Sequence, residues 1–189
     1  RIIIFSIYIM NYTSLEKYGI KLFPLTADKI ELVRNWRNNP KISQYMEFRD
    51  YITSDMQKKW FEKINNSNNN FFYTINVEGK DIGLINIKDV DFQEKTGETG
   101  IFIWDDEYLN SDYAIRAVLC IHDFAFQELS LNKLLGHTLS NNKRAIRLNS
   151  FLGYKILPNQ ENIVNQRCEL TKDDYFKSTN KVRLLFQKN

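Results

Sequence analysis

Residues 107–156 read EYLNSDYAIRAVLCIHDFAFQELSLNKLLGHTLSNNKRAIRLNSFLGYKI. Ala114, Ala117, Val118, Ile121, Phe124 and Ala125 recur at i, i+3, i+4, i+7, i+10 and i+11, the spacing of an amphipathic helix. Lys133–Leu139 reads as a short strand, and residues 140–154 as a second helix. Asn141 or Asn142 caps that helix by accepting from orphan N–H groups, and Ala145, Leu148 and Leu152 turn toward a sheet. Gly153 fits the left-handed position that ends a helix, and Tyr154 opens the next strand.

The flanking sequence extends this unit into one α+β domain. Ile20–Leu25 is a short strand, and Thr26 is the expected N-cap of a helix over 27–37, where Ile30, Val33 and Trp36 recur at helical spacing. Asn38-Asn39-Pro40 ends it. Thr53 caps a second helix, with Asp55 in its first turn and a Met56, Trp60, Ile64 stripe along it. A polar loop over 65–70 precedes two strands, Phe71–Val77 and Asp81–Lys88, joined at Glu78-Gly79-Lys80 as a hairpin. Thr96–Trp104 is a further strand, and two late strands are expected near Gln166–Leu170 and Lys181–Gln187. The order β-α-α-β-β-β-α-β-α-β-β implies a mixed sheet with helices on its faces. The domain is expected over 20–189, after an extension over 1–19. RIIIFSIYIM at the start is too short to span a bilayer and no small-residue cleavage site follows; Met10 is the expected natural start, with an extra edge strand over these residues as the alternative.

Composition narrows the function. The 189 residues are 43% hydrophobic and 26% charged, as in an ordinary soluble domain. A net charge of +3, with no basic helix or concentrated basic stripe, speaks against a nucleic-acid partner, and no segment calls for a membrane. Cys120, Cys168, His122 and His137 are the only cysteines and histidines, with no metal-ligand spacing, so no metal and a reducing cytoplasm are expected.

The opening stretch, with its Asn-x-x-Ala-Ile-Arg-Leu and Leu-Gly-Tyr segments, resembles the core of the GNAT N-acetyltransferase superfamily, most of all its Rim-type branch. Asn142, Ala145, Ile146, Arg147, Leu148, Leu152, Gly153 and Tyr154 carry the last motif. The resemblance implies the acyl-CoA N-acyltransferase fold, with a mostly antiparallel sheet splayed at a cleft for acetyl-CoA. By position, Ile103 and Trp104 would meet the pantetheine arm, and Asn110, Ser111, Asp112, Tyr113, Ala114 and Ile115 the pyrophosphate, held by free N–H groups and the helix dipole. Asn142 would bond the arm, and Lys143 and Arg144 the nucleotide phosphates. Those two cations read equally as solvated surface charge.

Two positions depart from the family. Its phosphate loop carries Gly-x-Gly where this chain has Asn110-Ser111-Asp112, and Asp112 is expected to cap its own helix and repel the pyrophosphate. Asn149 stands where many relatives have the tyrosine that protonates the leaving thiolate, which leaves water, Tyr154 or Tyr175 for that task.

The chemistry implied is direct attack of an amine on the thioester, and no Ser-His-Asp or Cys-His set suggests an acyl-enzyme. Glu98 is the favoured base, on one strand face with Gly100, Phe102 and Trp104; His137 is the other candidate. The N–H of Ile103 or Trp104 is the candidate donor to the oxyanion. WRNNPKISQYMEFRDYITSDMQKKWFEKI over 36–64 is similar to acetyltransferases of nucleotide-linked amino sugars, of the pseudaminic-acid pathway type, with Gln57 where such relatives often have His. On that likeness Arg37, Asn38, Tyr45, Met46, Tyr51 and Trp60 shape the acceptor pocket, Arg37 holding a phosphate and the aromatics a ring. A protein N-terminal acetyltransferase and a non-catalytic acyl-CoA or nucleotide-sugar binding module are the alternatives. The oligomeric state stays open, a homodimer included.

Overall fold

The computed structural model describes residues 13–187; the expected start at Met10 lies outside the described residues. The chain opens with two short strands, β1 (Leu15–Lys17) and β2 (Ile20–Pro24), turned on Tyr18 and Gly19 at φ 57° and 74°. Helices α1 (Ile30–Asn38), α2 (Pro40–Ser43) and α3 (Ser54–Asn65) follow. Then come β3 (Phe71–Val77), β4 (Lys80–Asp91) and β5 (Thr96–Ile103). Helix α4 (Tyr113–Asp123) widens into a π turn over Phe124–Glu128. The chain closes with β6 (Lys133–Leu139), α5 (Lys143–Leu152), β7 (Lys155–Ile156), β8 (Asn165–Thr171) and α6 (Lys172–Phe186).

The eight strands form one sheet in the order β1-β2-β3-β4-β5-β6-β8-β7, antiparallel except for the parallel β5–β6 pair. Its two faces carry separate apolar layers. On one, α4 and α6 cover Leu22, Tyr73, Ile75, Ile85 and Ile103. On the other, α1 and α3 cover Leu84 and Trp104 through Ile30, Val33, Trp36 and Trp60. Burial of this apolar area is the main favourable contribution to folding. Among the described residues no helix is long and apolar enough to cross a membrane.

Most expected elements form, and their caps explain them. Thr53 accepts from the N–H of Met56, Asn142 from that of Ala145, and Gly153 ends α5 at φ 98°. The hairpin turns on Glu78 and Gly79, both at positive φ. Three expectations fail. The segment 181–187 is not a strand but the end of α6: Tyr175, Thr179, Val182 and Phe186 recur at helical spacing toward the core, and Thr171 caps the helix at the N–H of Asp174. Thr26 does not cap α1; a turn closed by Lys29 N–H on the Thr26 carbonyl comes first, and the helix starts at Ile30. The buried residue of α3 is Gln57 rather than Met56, which is exposed; the Gln57 amide donates to the Ile30 carbonyl at 3.1 Å and joins α3 to α1.

Candidate active site

Strands β5 and β6 pair over only Thr96–Glu98 and Lys133–Leu135, then diverge. Beyond Glu98, β5 remains paired with β4 and β6 with β8, so the gap lies between two intact half-sheets. The N–H of Trp104 donates to the Ile82 carbonyl on β4 at 2.9 Å. Backbone direction alternates along a strand, so the N–H groups of Ile101 and Ile103 point the other way, across the gap. Of the two expected oxyanion donors, Trp104 is therefore engaged in the sheet and Ile103 is available. Trp104 is also buried, with its indole N–H on the Asp81 carbonyl, and does not offer its ring to the cleft.

A cleft of about 1580 Å³ runs through this gap and opens on both faces of the sheet. On the α4 side it is lined by Ser111, Ala114, Ile115, Asn142, Lys143 and Arg144. Here the expected competition by Asp112 does not occur. Its side chain makes no capping bond and turns instead to Arg116, one turn along, at 2.9 Å. Ser111 takes the Tyr113 N–H at 3.3 Å, and the N–H groups of Ala114 and Ile115 remain the orphan donors of a first helical turn. Arg144 reaches Asn110 at 3.5 Å, which brings the start of α5 beside the loop before α4. Asn142 uses its carbonyl oxygen to cap α5, which leaves its amide N–H groups as donors. Two orphan N–H groups with two exposed cations nearby fit an anionic, phosphate-bearing ligand.

On the other face the wall is built by α1, α2 and the loop over 44–52. Arg37, Tyr45, Met46, Phe48 and Trp60 line it. The Arg37 guanidinium reaches the Met46 sulfur at 2.8 Å and the Phe48 carbonyl at 3.5 Å, and stands 6.0 Å from the Phe102 ring centre. Among the described residues no carboxylate lies within ion-pair distance of it, and desolvation holds its pKa below the ordinary arginine value. Trp60 meets Phe72 edge-on at 5.2 Å. Two expected pocket residues stand elsewhere. Both amide atoms of Asn38 are engaged at 2.8 Å by the backbone of Ile52, so Asn38 shapes the loop rather than facing a ligand. Tyr51 is 69% exposed, outside the cleft lining, with its hydroxyl on Arg34.

Where the strands part, Glu98 projects to the face covered by α1 and α3. Its Oε1 meets Lys88 Nζ at 2.9 Å and His137 Nδ1 at 3.4 Å, so β4, β5 and β6 each contribute one polar group. On the opposite face the Tyr154 hydroxyl lies between Thr99 Oγ1 at 2.7 Å and His122 Nε2 at 3.4 Å. Burial raises the Tyr154 pKa, so its hydroxyl remains a proton-bearing donor at neutral pH. Burial also pushes His122 down to about 3, hence neutral. Asn149 donates to Thr138 at 2.8 Å and supports β6. Tyr175 is not an alternative acid: its hydroxyl is buried against Asp123 and the Leu119 carbonyl, away from the cleft.

Lys88 and Asn86 are wall residues that the sequence reading passed over. Alternation along β4 puts Leu84, Asn86 and Lys88 on one face, and a polar Asn86 between Ile85 and Ile87 was the available signal.

The family model described as an acetyltransferase (GNAT) domain matches residues 20–155. Acetyltransferase PseH of Campylobacter jejuni is 23% identical over 124 residues, 66% of this chain and 75% of its own length. The spermidine N(1)-acetyltransferase of Escherichia coli is 23% identical over 139 residues, 74% of each chain. Among solved structures, spermidine N-acetyltransferase from Vibrio cholerae in complex with CoA and spermine gives a TM-score of 0.75 at 19% identity, covering 84% of this chain and 98% of its own. At such identities a likeness to solved structures fixes the fold alone. The chain belongs to the GNAT acetyltransferase family and is an acetyl-CoA-dependent acyltransferase.

Proposed function

We propose that the acceptor is an anionic primary amine, a nucleotide-linked amino sugar, acetylated by direct transfer. The observation that carries this reading is Arg37. A half-buried guanidinium facing a cleft without a carboxylate partner is costly unless a ligand supplies the counter-charge. A sugar-nucleotide phosphate does so, and its bidentate geometry suits the fork. Tyr45, Phe48 and Trp60 offer flat apolar surface for a ring.

Acetyl-CoA supplies the thioester. Glu98 takes the proton of the incoming ammonium, which frees the lone pair for attack on the carbonyl carbon. The Ile103 N–H donates to the oxygen as charge gathers there. As the C–N bond forms and the C–S bond breaks, the Tyr154 hydroxyl on the cleft wall gives the departing sulfur its proton. Ser111, Ala114, Ile115, Asn142, Lys143 and Arg144 hold the nucleotide end.

The rival acceptor is a polyamine, the substrate named for two of the relatives. A polycation gains nothing from an unpaired Arg37. The test follows thiol release from acetyl-CoA with a UDP-linked amino sugar, spermidine and an N-terminal peptide. Arg37→Met should raise the KM for the sugar nucleotide about 10- to 100-fold, as for loss of a hydrogen bond to a charged group worth about 1.5–3 kcal/mol. Turnover of spermidine in preference to the sugar, insensitive to Arg37, would reject the anionic acceptor. Glu98→Gln should lower kcat about 100-fold or more while acetyl-CoA affinity holds; an unchanged kcat would remove Glu98 as the base.

A further inference from the structure

We infer that Asn86 positions the acceptor amine: its carboxamide oxygen takes one N–H of the amine while Glu98 takes the proton that must leave before attack. Asn86 sits at the centre of β4, paired with Gly100, one step on the same face from the Lys88–Glu98 pair. It lines the cleft. Among the described residues neither atom of its carboxamide has a hydrogen-bond partner; Nδ2 is sealed from solvent, whereas Oδ1 is not, and Oδ1 is the atom that a donor in the cleft can reach. An acceptor oxygen left without a partner in the wall of a ligand cleft is a place for a ligand donor.

The strand opposite keeps the site open. A Cβ on Gly100 would stand 3.0 Å from Asn86 Oδ1 and 3.6 Å from Nδ2, in the place this amide occupies. Gly100 thus lets the carboxamide lie flat across β5, beside the last rung of the β5–β6 pair at Glu98. Residues diagonal across an antiparallel pair approach to about 7–8 Å, so Asn86 and Glu98 flank a volume the size of one amine. An ammonium has three N–H groups. One proton goes to Glu98 before attack, a second leaves to water as the C–N bond forms, and the third stays on Asn86 Oδ1 as the N–H of the product amide; the lone pair released by the first transfer is directed toward the gap where Ile103 N–H points. The lysine ammonium of Lys88 is held on Glu98 Oε1, which leaves Oε2 for the proton.

The inference rests on acetyl transfer to an amine and not on the anionic character of the acceptor. Its effect is therefore expected with any amine that the enzyme acetylates, sugar or polyamine, whereas Arg37→Met separates the two. The test is Asn86→Leu, similar in size and unable to hydrogen-bond, with the UDP-linked amino sugar and spermidine as probes. We expect kcat/KM to fall about 10- to 100-fold for whichever probe is turned over. Acetyl-CoA affinity should be unchanged, and Tm should hold or rise, because an unsatisfied buried donor has been removed. A fall in Tm parallel to the loss of activity would mean that the amide supports the fold, and would overturn the assignment, as would unchanged turnover. Gly100→Ala provides a second, independent variant. It pushes the carboxamide aside without altering its chemistry and should reproduce the loss in kcat/KM; full activity in a folded Gly100→Ala protein would equally reject it.

Discussion

Gly153→Ala tests the corner that joins α5 to the sheet. Gly153 has φ 98°, and its N–H and that of Tyr154 both close on the Asn149 carbonyl, at 3.1 and 2.9 Å. An L-residue forced into a left-handed conformation costs about 1–2 kcal/mol. An added Cβ would stand 2.6 Å from Ser178 Oγ, 3.1 Å from the Asp174 carbonyl and 3.3 Å from Ser178 Cβ. The exposed Ser178 hydroxyl can rotate away, but the carbonyl belongs to α6 and cannot, so a further cost of about 1 kcal/mol is expected. The reduced freedom of the unfolded chain returns about 0.4–1 kcal/mol. The net loss is about 1–3 kcal/mol, which for a chain of this size lowers Tm by roughly 2–12 °C. Urea denaturation followed by circular dichroism measures it without any knowledge of the acceptor. Ser178→Ala in the same background should recover only a minor part, since it relieves one contact and leaves the backbone conformation untouched. Full recovery by Ser178→Ala, or no loss from Gly153→Ala alone, would show that the left-handed corner is not what ends the helix.

Two further outcomes are expected. Asp112→Asn removes a carboxylate that stands at the start of α4 without capping it, so acetyl-CoA should bind more tightly in a calorimetric titration, and weaker binding would mean that the Arg116 ion pair shapes the loop. Stability should fall on acidification from about pH 6.5 toward 3, because burial depresses His122 and the unfolded chain then holds the extra proton. The slope approaches 1.4 kcal/mol per pH unit, and it should flatten in His122→Phe when the urea midpoint is followed against pH.

The regular part of the molecule was legible because its signals are local. The helical spacing from Ala114, the Asn142 cap and the Gly153 corner each lie within a few residues, and each forms as read. Lys181–Gln187 misled because Val-Arg-Leu-Leu-Phe is apolar at short range; its helical face shows only when Tyr175 and Thr179 are counted with it. The site was legible where it depends on strand order and less so where it depends on side-chain direction. Asp112 was placed at the helix start, but its rotation toward Arg116 depends on a partner one turn away. Asn38 and Tyr51 lie in a segment that walls the cleft but do not face it, because the loop over 44–52 folds back on Asn38. Asn86 shows in the sequence as a polar residue between Ile85 and Ile87, but the room that Gly100 leaves for it depends on cross-strand register, which is not written in either strand alone.

The brief pairing of β5 with β6 has a consequence for hydrogen exchange. Along β5 the amides of Gly100 and Phe102 face the β4 ladder, while those of Ile101 and Ile103 face the gap. Protection should therefore alternate residue by residue beyond Glu98, slow at the first pair and fast at the second. A ligand that bonded across the gap would erase that alternation, so the exchange pattern of four consecutive amides would report its presence and its depth in the cleft without any measurement of turnover.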